Sequence, residues 1–324
     1  MIKKLSTIIL ILLIVATSLL ALLACNGGSD STIKVVVPDG APAFAVAKLL
    51  RDSKTINGLN VNYEIVTSPD TLQAKVLNAD IAIVPTNLAS IVNKGAGAKL
   101  VAVNTFGNLY LVGRAQKEAF ELKDIEGESV YSVGRNAVPD FTFQHIIKEK
   151  GLKNVDLRYV SAPTEVIPRL KSGDIKFAVL GEPSASLAVG QGVEILMSLS
   201  DLWAEVSGEG KLYPQASLIA SNAFLKRAES HEFLNAFFAL LEENASWIIS
   251  NPSESALAVK AHGSLISANA VTADMLLRCN INPMRASTPQ TKDSIDSYLK
   301  ILFQFNPNSI GGSMVDINQL VLDF

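Results

Sequence analysis

Thiolate and imidazole chemistry is scarce in this chain, which has two cysteines and three histidines in 324 residues. Cys25 and Cys279 form no Cys-x-x-Cys pair, and His145, His231 and His262 fall singly into separate helical patterns. Neither metal-ligand spacing nor a cysteine redox motif results. A Gly-rich phosphate loop and a Gly-x-Ser-x-Gly elbow are missing as well. The 28 basic residues are scattered among 31 acidic ones without a basic cluster, so nucleic acid is not an expected partner. Asp39, Asp140 and Glu182 are carboxylates in loop segments, but no spacing brings them together as an acid/base pair. The chain therefore reads as a protein without catalytic residues, metal or cofactor.

The first 25 residues carry the strongest positive signal. Lys3 and Lys4 precede an apolar run over 8–23, broken only by Thr17 and Ser18, and the run ends at Leu22-Leu23-Ala24-Cys25. That is the layout of a secretory signal. Its last four residues resemble the lipobox of bacterial lipoproteins, which implies cleavage before Cys25 and a diacylglycerol on its thiol. The alternative is a transmembrane anchor, since about 16 apolar residues approach the lower limit for spanning a bilayer. Asn26-Gly27-Gly28-Ser29-Asp30-Ser31 follows as a polar tether. The expected plan is a signal peptide over 1–24, a lipidated Cys25 with a flexible tether over 25–31, and a body on the extracytoplasmic face of a membrane. Loss of Lys3 and Lys4 leaves 26 basic against 31 acidic residues. Cys279 is then a thiol without a partner, so stability must come from the core rather than from disulfides.

Along the body, short β-rich runs alternate with helical patterns. Residues 33–37, 61–66, 80–84 and 99–103 read as strands, with 104–108 as a turn before another run at 109–112. The pattern restarts with strands at 129–133, 157–160, 177–180 and 194–199, and 216–221 is one more. Helices are expected over 232–249, 252–261, 268–279 and 291–305. Strand, crossover helix and strand in this order predict parallel sheets covered on both faces. Lobe 1 would comprise 32–112 plus 214–324 and lobe 2 113–213. The chain would then cross between them twice, near 107–113 and 213–220, which makes a hinge.

Four strands end in a turn of Gly, Pro, Asn or Asp that opens a helix: Pro38-Asp39-Gly40-Ala41, Pro85-Thr86-Asn87, Gly134-Arg135-Asn136 and Gly181-Glu182-Pro183. Ligands of open α/β sheets bind outside the carboxyl ends of strands, where helix N-termini offer unpaired N–H groups. The turns that begin at Pro38, Pro85 and Gly181, with Asn104-Thr105-Phe106-Gly107-Asn108 and Phe305-Asn306-Pro307-Asn308-Ser309-Ile310-Gly311-Gly312, resemble the substrate-binding lipoproteins of ABC importers. The branch is the one for nitrate, sulfonate, taurine and thiamine-precursor uptake. The resemblance covers essentially the whole mature chain. It implies an α/β, two-lobed periplasmic-binding-protein fold of type II, each lobe a mostly parallel sheet flanked by helices, with two hinge crossings. It also implies a monomer that holds a small-molecule ligand between the lobes and delivers it to an ABC permease and its ATPase, tied to the membrane through lipid on Cys25. The ligand residues it points to are Asp39, Gly40, Ala41, Thr86, Asn87, Thr105, Gly107, Asn108, Gly134, Arg135, Asn136, Asp140 and Glu182.

Two rivals remain at this stage. A thiamine-pyrimidine synthase resembles the same family but depends on a cysteine-rich iron motif that is missing here. A sensor or adhesin could present the same lobes to a protein. The loops hold three carboxylates and a single fixed cation, Arg135, which suits a ligand with a nitrogen donor and a polar or singly anionic end better than a dianion. Taurine-like zwitterions and amino-pyrimidine thiamine precursors both qualify.

Overall fold

Every strand expected from the apolar runs forms, and two further ones join them. The computed structural model describes residues 32–114, 119–208 and 213–324; the signal segment, Cys25 and the tether lie outside the described residues. The strands are β1 (Ile33–Pro38), β2 (Thr55–Ile56), β3 (Leu59–Val66), β4 (Ile81–Pro85), β5 (Ala98–Phe106), β6 (Leu109–Gly113), β7 (Ser129–Val133), β8 (Asp156–Val160), β9 (Phe177–Gly181), β10 (Glu194–Ser198), β11 (Pro214–Ser221) and β12 (Ile281–Arg285). They form a seven-stranded sheet in the order β12-β5-β11-β4-β1-β3-β2 and a five-stranded sheet in the order β10-β6-β9-β7-β8.

Period-2 alternation explains why the strands read as unbroken apolar runs. In β1 and β4, Val36, Ala82 and Val84 face one core, while Ile33, Val35, Val37, Ile81 and Ile83 face another. In the smaller sheet Leu109, Leu111, Phe177 and Val179 face the first of these cores and Tyr110, Val112, Ala178 and Leu180 a third. Both sheets are thus buried on both faces. One core is shared by the two sheets.

Both sheets are mixed, mostly parallel in strand direction with antiparallel strands inserted. Parallel pairing links β3-β1-β4 and β8-β7-β9, whereas β11 runs antiparallel to both β4 and β5, and β6 antiparallel to both β9 and β10. β6 and β11 are the strands that follow the two crossings. Each enters its sheet from the carboxyl ends of its neighbours and must run against them. β6, placed with lobe 1 in the sequence reading, pairs in the five-stranded sheet, so the first crossing shrinks to Gly107 and Asn108.

Three other segments differ from expectation. Asn104, Thr105 and Phe106 extend β5 instead of turning, because β11 and β12 flank them and supply pairing that outweighs the turn preference of asparagine. β12 has the sequence Ile-Asn-Pro-Met-Arg, with Pro283 inside it; it lies at the sheet edge, and its register shifts between Ile281 and Met284, where a residue without an N–H is tolerated. The expected helix over 268–279 is interrupted, as Thr272 accepts from the Met275 N–H at 3.2 Å and starts a new helix, Ala273–Arg278.

The long helix Ser230–Ser250 buries Phe233, Phe237, Leu241 and Ile248 against the seven-stranded sheet. Its buried Asn244 donates from Nδ2 to the Phe44 carbonyl at 3.0 Å and accepts from the Lys48 N–H at 2.8 Å. It thereby satisfies backbone groups where helix Ala41–Phe44 gives way to helix Ala47–Asp52.

Candidate ligand-binding site

The strand registers set where the site can be. Phe106, the last residue of β5, is opposite Pro214, the first of β11, and Leu109, the first of β6, is opposite Gly181, the last of β9. Both crossings therefore run past the carboxyl ends of the strands of both sheets, the position at which α/β sheets take ligands.

A cavity of about 360 Å³ opens there. One wall comes from helix Pro69–Val76, from the end of β4 with the start of helix Thr86–Gly95, and from the turn at 306–309; the other comes from 136–141, after β7. Gln73, Asn87, Asn136, Asn306 and Asn308 line it together with Leu72, Leu88, Val138 and Phe141, and no charged side chain is among its lining residues. Amide side chains supply donors and acceptors at once. The volume is that of a small-molecule pocket.

Asn87 is the polar group with the clearest spare capacity. It is 8 % exposed; its Nδ2 donates to the Ser309 carbonyl at 2.9 Å, and its Oδ1 is buried without a partner. A buried acceptor in this state costs free energy until a donor meets it. Asn136 adopts φ +59°, and its N–H donates to Asp140 Oδ2 at 2.7 Å, so it sits in the left-handed conformation that asparagine tolerates well.

The other residues picked from the sequence lie outside the cavity lining. Gly40, at φ +101°, precedes helix Ala41–Phe44, and Ala41 is buried. Thr86 is fully buried with its Oγ1 2.8 Å from Ser217 Oγ, and Thr105 lies buried in β5. Gly134, at φ +77°, donates its N–H to the Val160 carbonyl at 2.9 Å. Arg135 lies over the Tyr159 ring, 4.9 Å from its centroid. The Tyr159 phenol is pushed up to about 12, first by burial and then by its bond to Asp140. Gly107 and Asn108 form the first crossing: the Asn108 N–H donates to Gln215 Oε1 at 2.9 Å, and its Oδ1 accepts from Gln215 Nε2 at 2.6 Å.

All three carboxylates are committed to protein partners. Asp39 accepts from the Gly40 N–H, the Ser264 hydroxyl and the Leu265 N–H at 2.9, 2.7 and 2.8 Å. Asp140 accepts from the Asn136 N–H, the Tyr159 hydroxyl and Gln144. Glu182 accepts from the Ser186 N–H and hydroxyl and from Arg278. Of the loop residues, Asn87 and Asn136 reach the cavity lining. Gln73, Asn306 and Asn308 lie outside the residues that the sequence points to. The last two lie in the Phe305-to-Gly312 segment that carried part of the resemblance, and this was the one signal available for them.

Comparison with known proteins places the chain. The model of the NMT1/THI5 like family matches residues 55–255. No curated protein matches. Among solved structures, an ABC transporter protein from Parabacteroides distasonis is 25% identical with a TM-score of 0.76, over 90% of this chain and 99% of that one. The periplasmic aliphatic sulphonate binding protein SsuA from Escherichia coli is 16% identical with a TM-score of 0.68, over 90% and 92% of the two chains. The periplasmic nitrate-binding protein NrtA from Synechocystis PCC 6803 is 12% identical with a TM-score of 0.60, over 85% and 82%. The architecture is the periplasmic-binding-protein-like α/β fold of these structures, and the chain belongs to the NMT1/THI5-like family.

Proposed function

We propose that the chain is the extracytoplasmic solute-binding component of an ABC importer, which captures a small, polar, nitrogen-containing ligand between two lobes and hands it as a monomer to the permease and its ATPase. The cavity carries this reading: it lies where strand ends of both sheets face each other and is lined by amides and by no charged side chain. A sulfonate or nitrate would bring a full charge with no lining cation to pair it, and an unpaired ionised group is expensive to remove from water. An amino-pyrimidine offers N–H donors to Asn87 Oδ1, ring acceptors to amide N–H groups, and a flat face to Phe141 and Leu88. The neutral heterocycle is therefore favoured over the taurine-like zwitterion. A ligand that touches both sheets favours the closed arrangement by the difference in its contacts between open and closed states.

Thermal denaturation against a panel tests this. At about a hundredfold excess over Kd, a ligand specific for the native state stabilises it by ~2.7 kcal/mol, a rise of several degrees in Tm. The expected result is a rise with 4-amino-5-hydroxymethyl-2-methylpyrimidine and none with taurine or nitrate. The reverse ranking would reject the neutral-ligand reading.

The same proposal places the protein at the membrane through Cys25. One acyl chain binds a bilayer marginally, whereas two hold firmly. Processed protein should therefore be found in the membrane fraction, and Cys25→Ser should release it or leave it unprocessed. A mature N-terminus elsewhere, read by mass spectrometry, would contradict the anchor.

A further inference from the structure

Besides the two chain crossings, a third tie joins the parts of the molecule on either side of the hinge. Arg278 ends helix Ala273–Arg278, whose Met275 and Leu276 pack in the core of the seven-stranded sheet with helix Ser230–Ser250. Its guanidinium reaches to the other sheet, where Nε donates to Glu182 Oε1 at 2.7 Å and Nη2 to Ser186 Oγ at 2.6 Å. The Glu182 side chain is wholly buried, while that of Arg278 keeps 37% of its surface in solvent. Residues 278–280 also grip the first crossing. Asn280 Nδ2 donates to the Gly107 carbonyl at 2.5 Å, the Phe106 N–H to the Asn280 carbonyl at 3.1 Å, Asn108 Nδ2 to the Cys279 carbonyl at 3.1 Å and the Tyr110 hydroxyl to the Arg278 carbonyl at 3.3 Å.

We infer that residues 278–280 are a hinge strap and that Arg278 is a positioning residue for ligand capture, which sets the balance between open and closed clefts through Glu182. This inference rests on the solute-binding reading only in that the cleft is taken to open and close. Rotation about Gly107 and the start of β11 moves the end of β9, and Glu182 with it, relative to helix Ala273–Arg278. In the arrangement seen here a buried carboxylate is paired with a guanidinium. Opening separates them, and water then compensates both charges, so the pair biases the equilibrium rather than locking it. The bias is bidentate: lysine could neutralise Glu182 but could not also hold Ser186 in the same fork.

The test needs no ligand, so it is independent of the panel above. Spin labels on the exposed positions Asn78→Cys and Lys148→Cys report the distance between the two sides of the cleft in the full chain in detergent; Cys279 is buried and stays unlabelled. Arg278→Ala and Glu182→Gln are expected to move the distance distribution toward longer spacings, and Arg278→Lys to fall between these and the parent. A parental distribution in folded variants overturns the inference. So does a lowered Tm with parental spacing, the signature of a merely structural ion pair. If Arg278→Ala fails to fold, Arg278→Lys and Glu182→Gln still decide.

Discussion

Replacing Trp203 by alanine is expected to cost about 3–5 kcal/mol of folding stability, a large part of what a chain of this kind has. Trp203 lies on helix Leu199–Ser207, is 1 % exposed, and has three ring partners. Its centroid is 5.1 Å from His145, 5.1 Å from Tyr213 and 5.6 Å from Tyr298, and Tyr213 and Tyr298 stack at 5.7 Å. These partners come from helix Val138–Glu149, the second crossing and helix Pro289–Phe305, so the indole fills the core that both sheets share. Truncation opens a cavity among rings that cannot collapse into it. Burial in the same cluster holds the His145 imidazole pKa below its ordinary value. Urea denaturation, followed by circular dichroism, gives the value from the shift in midpoint at constant slope. A loss below about 1 kcal/mol would mean that the stack is not a structural centre.

The sequence was most informative where burial on two faces left one interpretation. β4 and β9 are continuous apolar runs ended by proline or glycine, as is β1 apart from Lys34, and nothing else accommodates such runs at that length. β12 was illegible because Asn282 and Pro283 contradict strand propensity, and only its edge position, a tertiary fact, permits it. The turn expected at Asn104 fails for the same reason: its neighbours in the sheet come from residues more than a hundred positions away. The site divides likewise. Turn chemistry after β4 and β7 led to Asn87 and Asn136, because a strand end that opens a helix leaves backbone donors in the cleft. The carboxylates are ambiguous in sequence, since an acidic loop residue looks the same whether it meets ligand or ties down a distant segment. Asp39 does the latter for Ser264 and Leu265. Gln73 is a polar residue on a helix, with nothing in its neighbourhood to separate it from a solvated one.

Gly107→Ala should be a strongly damaging substitution for a single methyl group. Its φ is not positive, so the demand for glycine here is one of space rather than of backbone conformation. The Gly107 N–H donates to the Tyr213 carbonyl at 3.0 Å, and its carbonyl accepts from Ser200 Oγ at 2.8 Å and Asn280 Nδ2 at 2.5 Å. A Cβ would stand 2.1 Å from Ser200 Oγ and 2.5 Å from Tyr213 Cε1. The serine hydroxyl can rotate away only by giving up its bond to the Gly107 carbonyl. The tyrosine ring is held between Trp203 and Tyr298 and has no direction in which to yield. Overpacking of a filled interior costs about 1–3 kcal/mol and occasionally more, and with two such approaches at a crossing the upper end is expected. Gly95 is the control: it ends a helix, has no positive φ, and a Cβ there meets nothing within 4 Å. Gly95→Ala should be neutral or slightly stabilising, because the unfolded chain loses freedom while the folded one loses nothing. Denaturation midpoints of the two variants, measured together, isolate the effect of the crossing. If they fell within about 0.5 kcal/mol of each other, a difference no larger than that of ordinary surface changes, the tight contact of Gly107 with Ser200 and Tyr213 would not constrain this crossing.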